Sequence, residues 1–149
     1  PSPVDVIELD CIRTLVQAGC VVVACGGGGI PVIEKENGAL RGVEAVIDKD
    51  RASSLLARKI NADLFVISTA VEKVALNYGQ PDQRWIDRAT VSELKGYHAS
   101  GHFPSGSMGP KIEAMIDYLS SGGSRGIITD PSNMARALYG KSGTELVPD

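Results

Sequence analysis

A glycine- and serine-rich segment that ends in a lysine, Gly101–Lys111, is the part of this sequence best suited to bind an anion. A glycine-rich loop that enters a helix presents free backbone N–H groups and the positive end of the helix dipole, which favours a phosphate. Lys111 adds a full charge in the first helical turn, where a cation opposes the dipole and does not serve the helix itself. The pattern therefore indicates a phosphate ligand; the alternative is an ordinary loop with a surface lysine.

A second glycine-rich segment, Gly26–Gly29, directly follows the apolar run Cys20–Cys25. The run is typical of a strand buried on both faces of a parallel sheet, and ligands bind at the carboxyl ends of such strands. Neither GxGxxG entering a helix nor GxxxxGK[ST] is present, which excludes a dinucleotide fingerprint and a P-loop. We expect Gly26, Gly27, Gly28 and Gly29 to contact a substrate through their backbone; a tight turn alone is the alternative.

Two acids flank a lysine where a further helix should begin, at Asp48, Lys49 and Asp50. Helix capping explains one acid but not both, and such a cluster can orient a cation or a lysine near phosphates. Thr69–Val71 follows the predicted buried strand Leu64–Ser68, at another carboxyl end. Tyr78 is suited either to stack on a nucleotide base or to pack in the core.

Hydrophobic periodicity predicts the elements that must position these residues. Five helices are predicted: Val4–Ala18, one starting at Asp50, one from the capping box Thr90–Glu93 to about Gly96, one from Pro110, and Ser132–Leu138. The helix at Asp50 should bury Ala52, Leu55, Leu56 and Ile60. The helix at Pro110 should bury Ile112, Met115, Ile116 and Leu119. Further strands are predicted at Arg125–Thr129 and Leu146–Val147, with a hairpin over Val32–Gly42 around Asn37-Gly38. The alternation predicts an α/β fold with a largely parallel sheet, helices on both faces and the site residues at one edge.

Composition limits the function classes. The chain of 149 residues has a net charge of −3, so it lacks the basic footprint of a nucleic-acid-binding protein. No apolar run approaches the ~20 residues of a membrane helix, and no signal peptide is visible, which favours a cytoplasmic protein. Three cysteines in apolar surroundings predict buried free thiols, and no ligand spacing indicates a metal site. His98 and His102 are expected in loops or at the surface.

With these residues in hand, the chain resembles the carbamate kinases of the amino acid kinase family. The matching segments are Gly26–Val32, Gly42–Asp50, Ala62–Leu64 with the strand after it, Gly106–Ala114 and Gly143-Thr144. The resemblance implies a three-layer αβα sandwich and reversible phosphoryl transfer, in which carbamoyl phosphate and ADP give ATP and carbamate. It also implies Mg²⁺ with the nucleotide, a homodimer and a role in fermentative arginine metabolism.

The resemblance also implies roles for single residues. Asp50 would organise the lysines around the transferring phosphoryl group, and Lys111 would contact the nucleotide phosphates and stabilise the transition state. Lys49 would be a further phosphate ligand, and Gly26–Gly29 would be substrate-side backbone contacts. The nucleotide-binding set would be completed by Thr69, Ala70, Val71, Tyr78, Ser107, Met108 and Gly109.

Carbamate kinases are about twice as long, and the chain resembles only their carboxy-terminal, nucleotide-binding half. We therefore expect residues 1–149 to form that domain, without the amino-terminal loop and lysine that hold carbamoyl phosphate, and to be inactive alone. Two alternatives stay open. Another amino acid kinase, of the acetylglutamate or uridylate type, would share the logic of Asp50 and Lys111, and a non-catalytic nucleotide-binding module would bind ADP without transfer.

Overall fold

The computed structural model describes residues 1–149. The helices are α1 (Leu9–Gln17), α2 (Lys49–Lys59), α3 (Val91–Ala99), α4 (Met108–Ser120), a 3₁₀ turn at Pro131–Asn133 and α5 (Met134–Leu138). The strands are β1 (Val32–Glu34), β2 (Leu40–Gly42), β3 (Phe65–Ser68), β4 (Val74–Leu76), β5 (Arg84–Ile86), β6 (Arg88–Thr90), β7 (Gly126–Thr129) and β8 (Thr144–Val147).

The central sheet has the strand order β3-β7-β8-β6. β3 pairs with β7 and β6 pairs with β8 in parallel, whereas β7 and β8 are antiparallel. Helices lie on both faces of the sheet. On one face, Gly126 of β7 is next to Met115 of α4. On the other face, Thr129 of β7 and Ala137 of α5 meet near Gly143. The predicted α/β class with a mainly parallel central sheet is confirmed.

Helices α2 and α4 pack along each other on one face of the sheet and carry most of the site. Ile112, Met115 and Leu119 of α4 are buried in the main hydrophobic cluster, as the period predicts. α2 is followed by β3 and α4 by β7, each helix running back over the sheet before its strand. Since the two strands are parallel, the amino termini of both helices lie at the end of the sheet where β3 and β7 finish.

The amino-terminal part differs from the prediction. α1 begins only at Leu9, not at Val4 as predicted. Apolar residues spaced as the stripe of one helix face, namely Val4, Ile7, Cys11 and Leu15, are all exposed, while Ile12 is buried. The predicted strand Cys20–Cys25 is wrong: Val21 and Val23 are 98% and 96% exposed, and residues 21–23 make no backbone hydrogen bond to another segment. The apolar pattern is present, but no other part of this chain lies beside it to pair with.

Other boundaries moved, and some elements were not predicted. The apolar run Val43–Ile47, which leads into Asp48 and has the composition of a strand, forms none, and the sequence did not predict β4, β5 and β6. α3 continues to Ala99, α4 begins two residues before Pro110, and the Val32–Gly42 hairpin is confirmed as β1 and β2. The three cysteines are free but not buried, since two are exposed and Cys25 is partly so. No helix is long and apolar enough to cross a bilayer.

A buried threonine ties the β4–β5 hairpin to the central sheet. Thr144 Oγ1 accepts from Val74 N at 2.8 Å and donates to Ile86 O at 2.5 Å. We expect Thr144→Val to lower the free energy of unfolding by about 2–3 kcal/mol, because it strands a buried N–H and a buried C=O. Urea denaturation of the chain measures this. Thr129→Val is the matched control, since Thr129 is equally buried but its hydroxyl has no partner; an equal loss in both variants would contradict the prediction.

Candidate phosphate-binding site

An ion pair between α2 and α4 forms the centre of the candidate site. Lys111 Nζ donates to Asp50 Oδ2 at 2.9 Å, and the side chains are only 13% and 9% exposed. The residues are 61 positions apart in sequence. They meet because both lie in the first turns of helices whose amino termini share one end of the sheet. The expected convergence of this acid and this amine is therefore present.

A second amine approaches the same carboxylate. Lys49 Nζ lies 3.8 Å from Asp50 Oδ2, and its side chain is 58% exposed. Asp48 has a different role, since its Oδ1 accepts from the backbone N–H groups of Asp50 and Arg51 and caps α2. Capping thus explains Asp48, whereas Asp50 is left to hold two lysines. Two ammonium groups around one carboxylate leave a net positive charge that suits a phosphate.

The glycine loop lies against the start of α2. Gly28 is buried at φ +135°, and a Cβ at this position would be 2.0 Å from Ile47 O. Only glycine permits this close approach, which brings the loop beside Lys49. Gly26, Gly27 and Gly29 have open space around the position of a side chain. Gly26 N and Gly28 N already donate to Ala24 O and Cys25 O, so the N–H groups of Gly27 and Gly29 are the ones left free beside the lysine cluster.

The loop ahead of α4 leaves only part of the helix amino terminus free, because Gly109 N already donates to Pro104 O at 2.9 Å and Pro110 has no N–H. Ser107 occupies the N-cap position but makes no side-chain capping bond. Gly109 is buried, and a Cβ there would lie 3.0 Å from Pro104 O, so the loop folds tightly over the first turn. Met108 packs against the main core. The helix dipole and Lys111 are thus available to the same anion.

The remaining predicted residues lie at this end of the sheet but are not joined to the lysines. Thr69 N donates to Thr129 O at 2.8 Å, which places Thr69–Val71 where β3 and β7 end. No hydrogen bond or ion pair connects these residues to the Asp50–Lys111 pair. The turn that carries Tyr78 contacts the loop before α4, where Asn77 Oδ1 lies 2.6 Å from His102 Nδ1.

Tyr78 is exposed, so the alternative of core packing is wrong. Its ring meets Trp85 edge-on, with centroids 6.3 Å apart. Trp85 also lines a surface groove of about 240 Å³ with Glu72 and Lys73. Sequence reasoning did not single out Trp85, although it is the only tryptophan. The two rings offer an apolar surface on which a base could stack.

Cys25, just before the glycine loop, should be the least reactive of the three thiols. Partial burial, aided by the nearby carboxylate of Glu8, raises the pKa of the Cys25 thiol. A raised pKa leaves less thiolate at a given pH, and the thiolate is the nucleophile. Disulfide-exchange labelling of single-cysteine variants at pH 8 should modify Cys11 and Cys20 before Cys25, whose rate should keep rising to higher pH. Equal rates and equal pH midpoints would contradict this.

Comparisons with known proteins agree on one family. The sequence pattern of the amino acid kinase family matches residues 1–130. The chain is 50% identical over 147 residues to the carbamate kinase of Thermococcus kodakarensis and 48% identical over 148 residues to that of Pyrococcus horikoshii. These alignments cover 99% of this chain but only 46% and 47% of those proteins, so the chain spans about half the length of these relatives.

Solved structures give the same result. The structure of carbamate kinase from Giardia lamblia bound to AMP-PNP superimposes with a TM-score of 0.96 at 42% identity. The match covers 100% of this chain and 47% of the Giardia chain. A nucleotide analogue is therefore bound by a protein of which nearly half has the fold described above.

Proposed function

Because the chain belongs to the amino acid kinase family, we propose that it supplies the nucleotide-binding half of a carbamate kinase. The observation that carries the proposal is the meeting of Asp50, Lys111 and Lys49 at one rim of the sheet. The reaction would be the reversible transfer of a phosphoryl group between carbamoyl phosphate and ADP. The P–O bond to the carbamoyl oxygen breaks as a P–O bond to the ADP β-phosphate forms, and carbamate leaves.

Phosphoryl transfer needs positioning and charge neutralisation more than covalent chemistry from the protein. Lys111 spends one N–H on Asp50, which leaves two further donors for phosphate oxygens. Lys49 can reach the same oxygens from the solvent side. Asp50 would hold both amines in place, and the Gly26–Gly29 backbone would lie on the side of the phosphoryl donor.

Magnesium would enter with the nucleotide as part of the substrate. No group of three or more His, Cys, Asp or Glu side chains is placed to hold a metal ion. The Asp50 carboxylate is already shared by two lysines. This fits the usual behaviour of Mg²⁺ in kinases, where phosphates and waters supply most of the ligands.

The exposed Val21–Val23 segment supports the proposal that this chain is one half of a longer enzyme. An apolar, β-branched segment with unpaired backbone groups is suited to join a sheet edge. In the proposed enzyme, that edge belongs to the half that binds carbamoyl phosphate. The homodimer and the role in arginine metabolism are parts of the same proposal.

The experiment that tests the function uses a hybrid enzyme, in which this chain replaces the segment it matches in the T. kodakarensis carbamate kinase. We expect the hybrid to form ATP from ADP and carbamoyl phosphate, and the 149-residue chain alone to bind ADP weakly without turnover. A folded hybrid that binds ADP but transfers no phosphoryl group would favour a non-catalytic nucleotide-binding module. Transfer to acetylglutamate or UMP in a substrate panel, and not to carbamate, would favour another amino acid kinase.

The base-binding part of the proposal predicts a fluorescence change. If adenine stacks near Tyr78, ADP should quench the fluorescence of the single tryptophan, Trp85, in a saturable way. A titration of the 149-residue chain measures this. Inorganic pyrophosphate is the control, since it offers the phosphates without a base and should cause no quenching. Equal quenching by both ligands, or none while calorimetry detects ADP binding, would contradict the placement of the base.

A further inference from the structure

A second ion pair joins the helices that carry Asp50 and Lys111. Arg51 directly follows Asp50 on α2, and its Nη2 lies 2.6 Å from Oε2 of Glu113 on α4. Glu113 comes two residues after Lys111. The two pairs have opposite polarity, because the acid is on α2 in one and on α4 in the other. The four charges cancel, so neither helix is repelled from its neighbour.

A histidine lies on the other side of Glu113. His98 Nε2, on α3, is 3.3 Å from Glu113 Oε1, and Arg51 contacts the other carboxylate oxygen. The His98 ring stacks on Phe103 with centroids 6.3 Å apart. Phe103 is buried and belongs to the loop that leads into α4. Glu113 therefore links α2, α3 and, through His98, the loop before Lys111.

A further bond continues the connection along the two helices. Ser54 Oγ, one turn after Asp50, donates to Ala114 O at 2.8 Å inside the protein. Three contacts thus join the first two turns of α2 and α4: Asp50–Lys111, Arg51–Glu113 and Ser54–Ala114. The Asp50–Lys111 contact is the one nearest the helix amino termini. A phosphate that binds Lys111 competes with Asp50 for the ammonium and weakens that contact. A phosphate bound at Lys111 leaves Arg51 free to keep its bond to Glu113, so the second pair still holds the two helices together.

We infer that Arg51 and Glu113 are positioning residues for phosphoryl transfer. They hold α4 at a fixed distance from α2, so that the Lys111 ammonium, and not the whole helix, moves when the phosphates bind. Neither residue touches the substrate; both act through Lys111. This inference rests on the proposed function and deepens it.

Variants of the hybrid enzyme test the inference. Arg51→Met and Glu113→Gln should each lower kcat about tenfold, since small misplacements of a charge-stabilising group are costly, and leave KM for ADP within about twofold. The double variant should be no worse than either single one, because both remove the same contact. Arg51→Lys, which keeps the charge, should recover most of the rate.

The chain offers a matched control on the same two helices. Arg58 lies seven residues after Arg51, on the same face of α2, and its Nη1 lies 3.4 Å from Ser121 Oγ beyond the far end of α4. Arg58→Met should leave kcat unchanged. The fraction of folded sites in every variant is taken from the stoichiometry of ADP binding. If the parent hybrid is inactive, the proposed function itself is wrong. If the parent is active, the inference is overturned by equal rates in Arg51→Met and Arg58→Met. It is also overturned if fewer ADP-binding sites explain the whole loss of rate.

Discussion

Replacing Lys111 with methionine should lower kcat of the hybrid enzyme by about 10²–10³-fold. The variant would lack the amine that lies 2.9 Å from the Asp50 carboxylate, and this amine would stabilise the negative charge on the transferring phosphoryl group. Methionine keeps the length and the apolar contacts of the stem, so the fold should survive. A coupled assay for ATP formation under saturating ADP and carbamoyl phosphate measures the loss.

Lys95→Met is the matched control for this experiment. Lys95 is an exposed helical lysine on α3, away from the Asp50 cluster, and its loss should change kcat less than twofold. If Lys111→Met retained more than about a third of the parent rate, Lys111 would not be the amine that stabilises transfer. ADP binding that survives Lys111→Met in a hybrid with no measurable transfer would instead favour the non-catalytic module.

Asp50→Asn should destabilise the chain by about 3 kcal/mol, because the nearly buried Lys111 ammonium would lose its counter-charge. Asparagine has the same shape and still offers an acceptor, so the loss reports charge and not packing. For a chain of this size the midpoint of thermal unfolding should fall by roughly 6–12 °C. In the hybrid enzyme the same change should also lower kcat, since both lysines lose the group that holds them.

Asp48→Asn is the control two residues earlier in the same turn. Asparagine caps a helix about as well as aspartate, so this variant should unfold close to the parent temperature. The double variant Asp50→Asn/Lys111→Met should recover part of the lost stability, because no unpaired charge remains. A double variant less stable than Asp50→Asn would contradict the ion-pair account.

The parts of the fold that the sequence predicted well have local causes. The helix around Ile112, Met115 and Leu119 follows from a 3.6-residue period, and the capping box at Thr90 and Glu93 forms as the motif predicts. The closeness of Asp50 and Lys111 also followed from local patterns, because each lies in the first turn of a helix and both helices begin at one end of a parallel sheet. Topology then places them together without any knowledge of side chains.

The errors in the amino-terminal part have one physical cause. The stripe Val4, Ile7, Cys11 and Leu15 and the run around Val21 have the composition of buried elements, yet they are exposed. Periodicity shows that a surface is apolar, but burial also needs a second surface to cover it. No segment of this chain provides one, and the pattern cannot reveal that.

The contacts between helices were beyond sequence reasoning for a different reason. Arg51 and Glu113 read as ordinary surface charges, since nothing in the sequence fixes the rotation of α2 against α4. The short strands β4 and β5 were missed because neither shows alternation over more than three residues. Without this hairpin, the neighbourhood of Tyr78 and Trp85 could not be anticipated.

The central claim is that Asp50, Lys49 and Lys111 surround the terminal phosphates of a nucleotide. A crystal structure of the hybrid enzyme with AMP-PNP and Mg²⁺ tests it most directly. The account predicts Lys111 Nζ within about 3 Å of a β- or γ-phosphate oxygen, with Asp50 still in contact with the amine. Phosphates bound elsewhere on the molecule, with Lys111 paired only to Asp50, would contradict it.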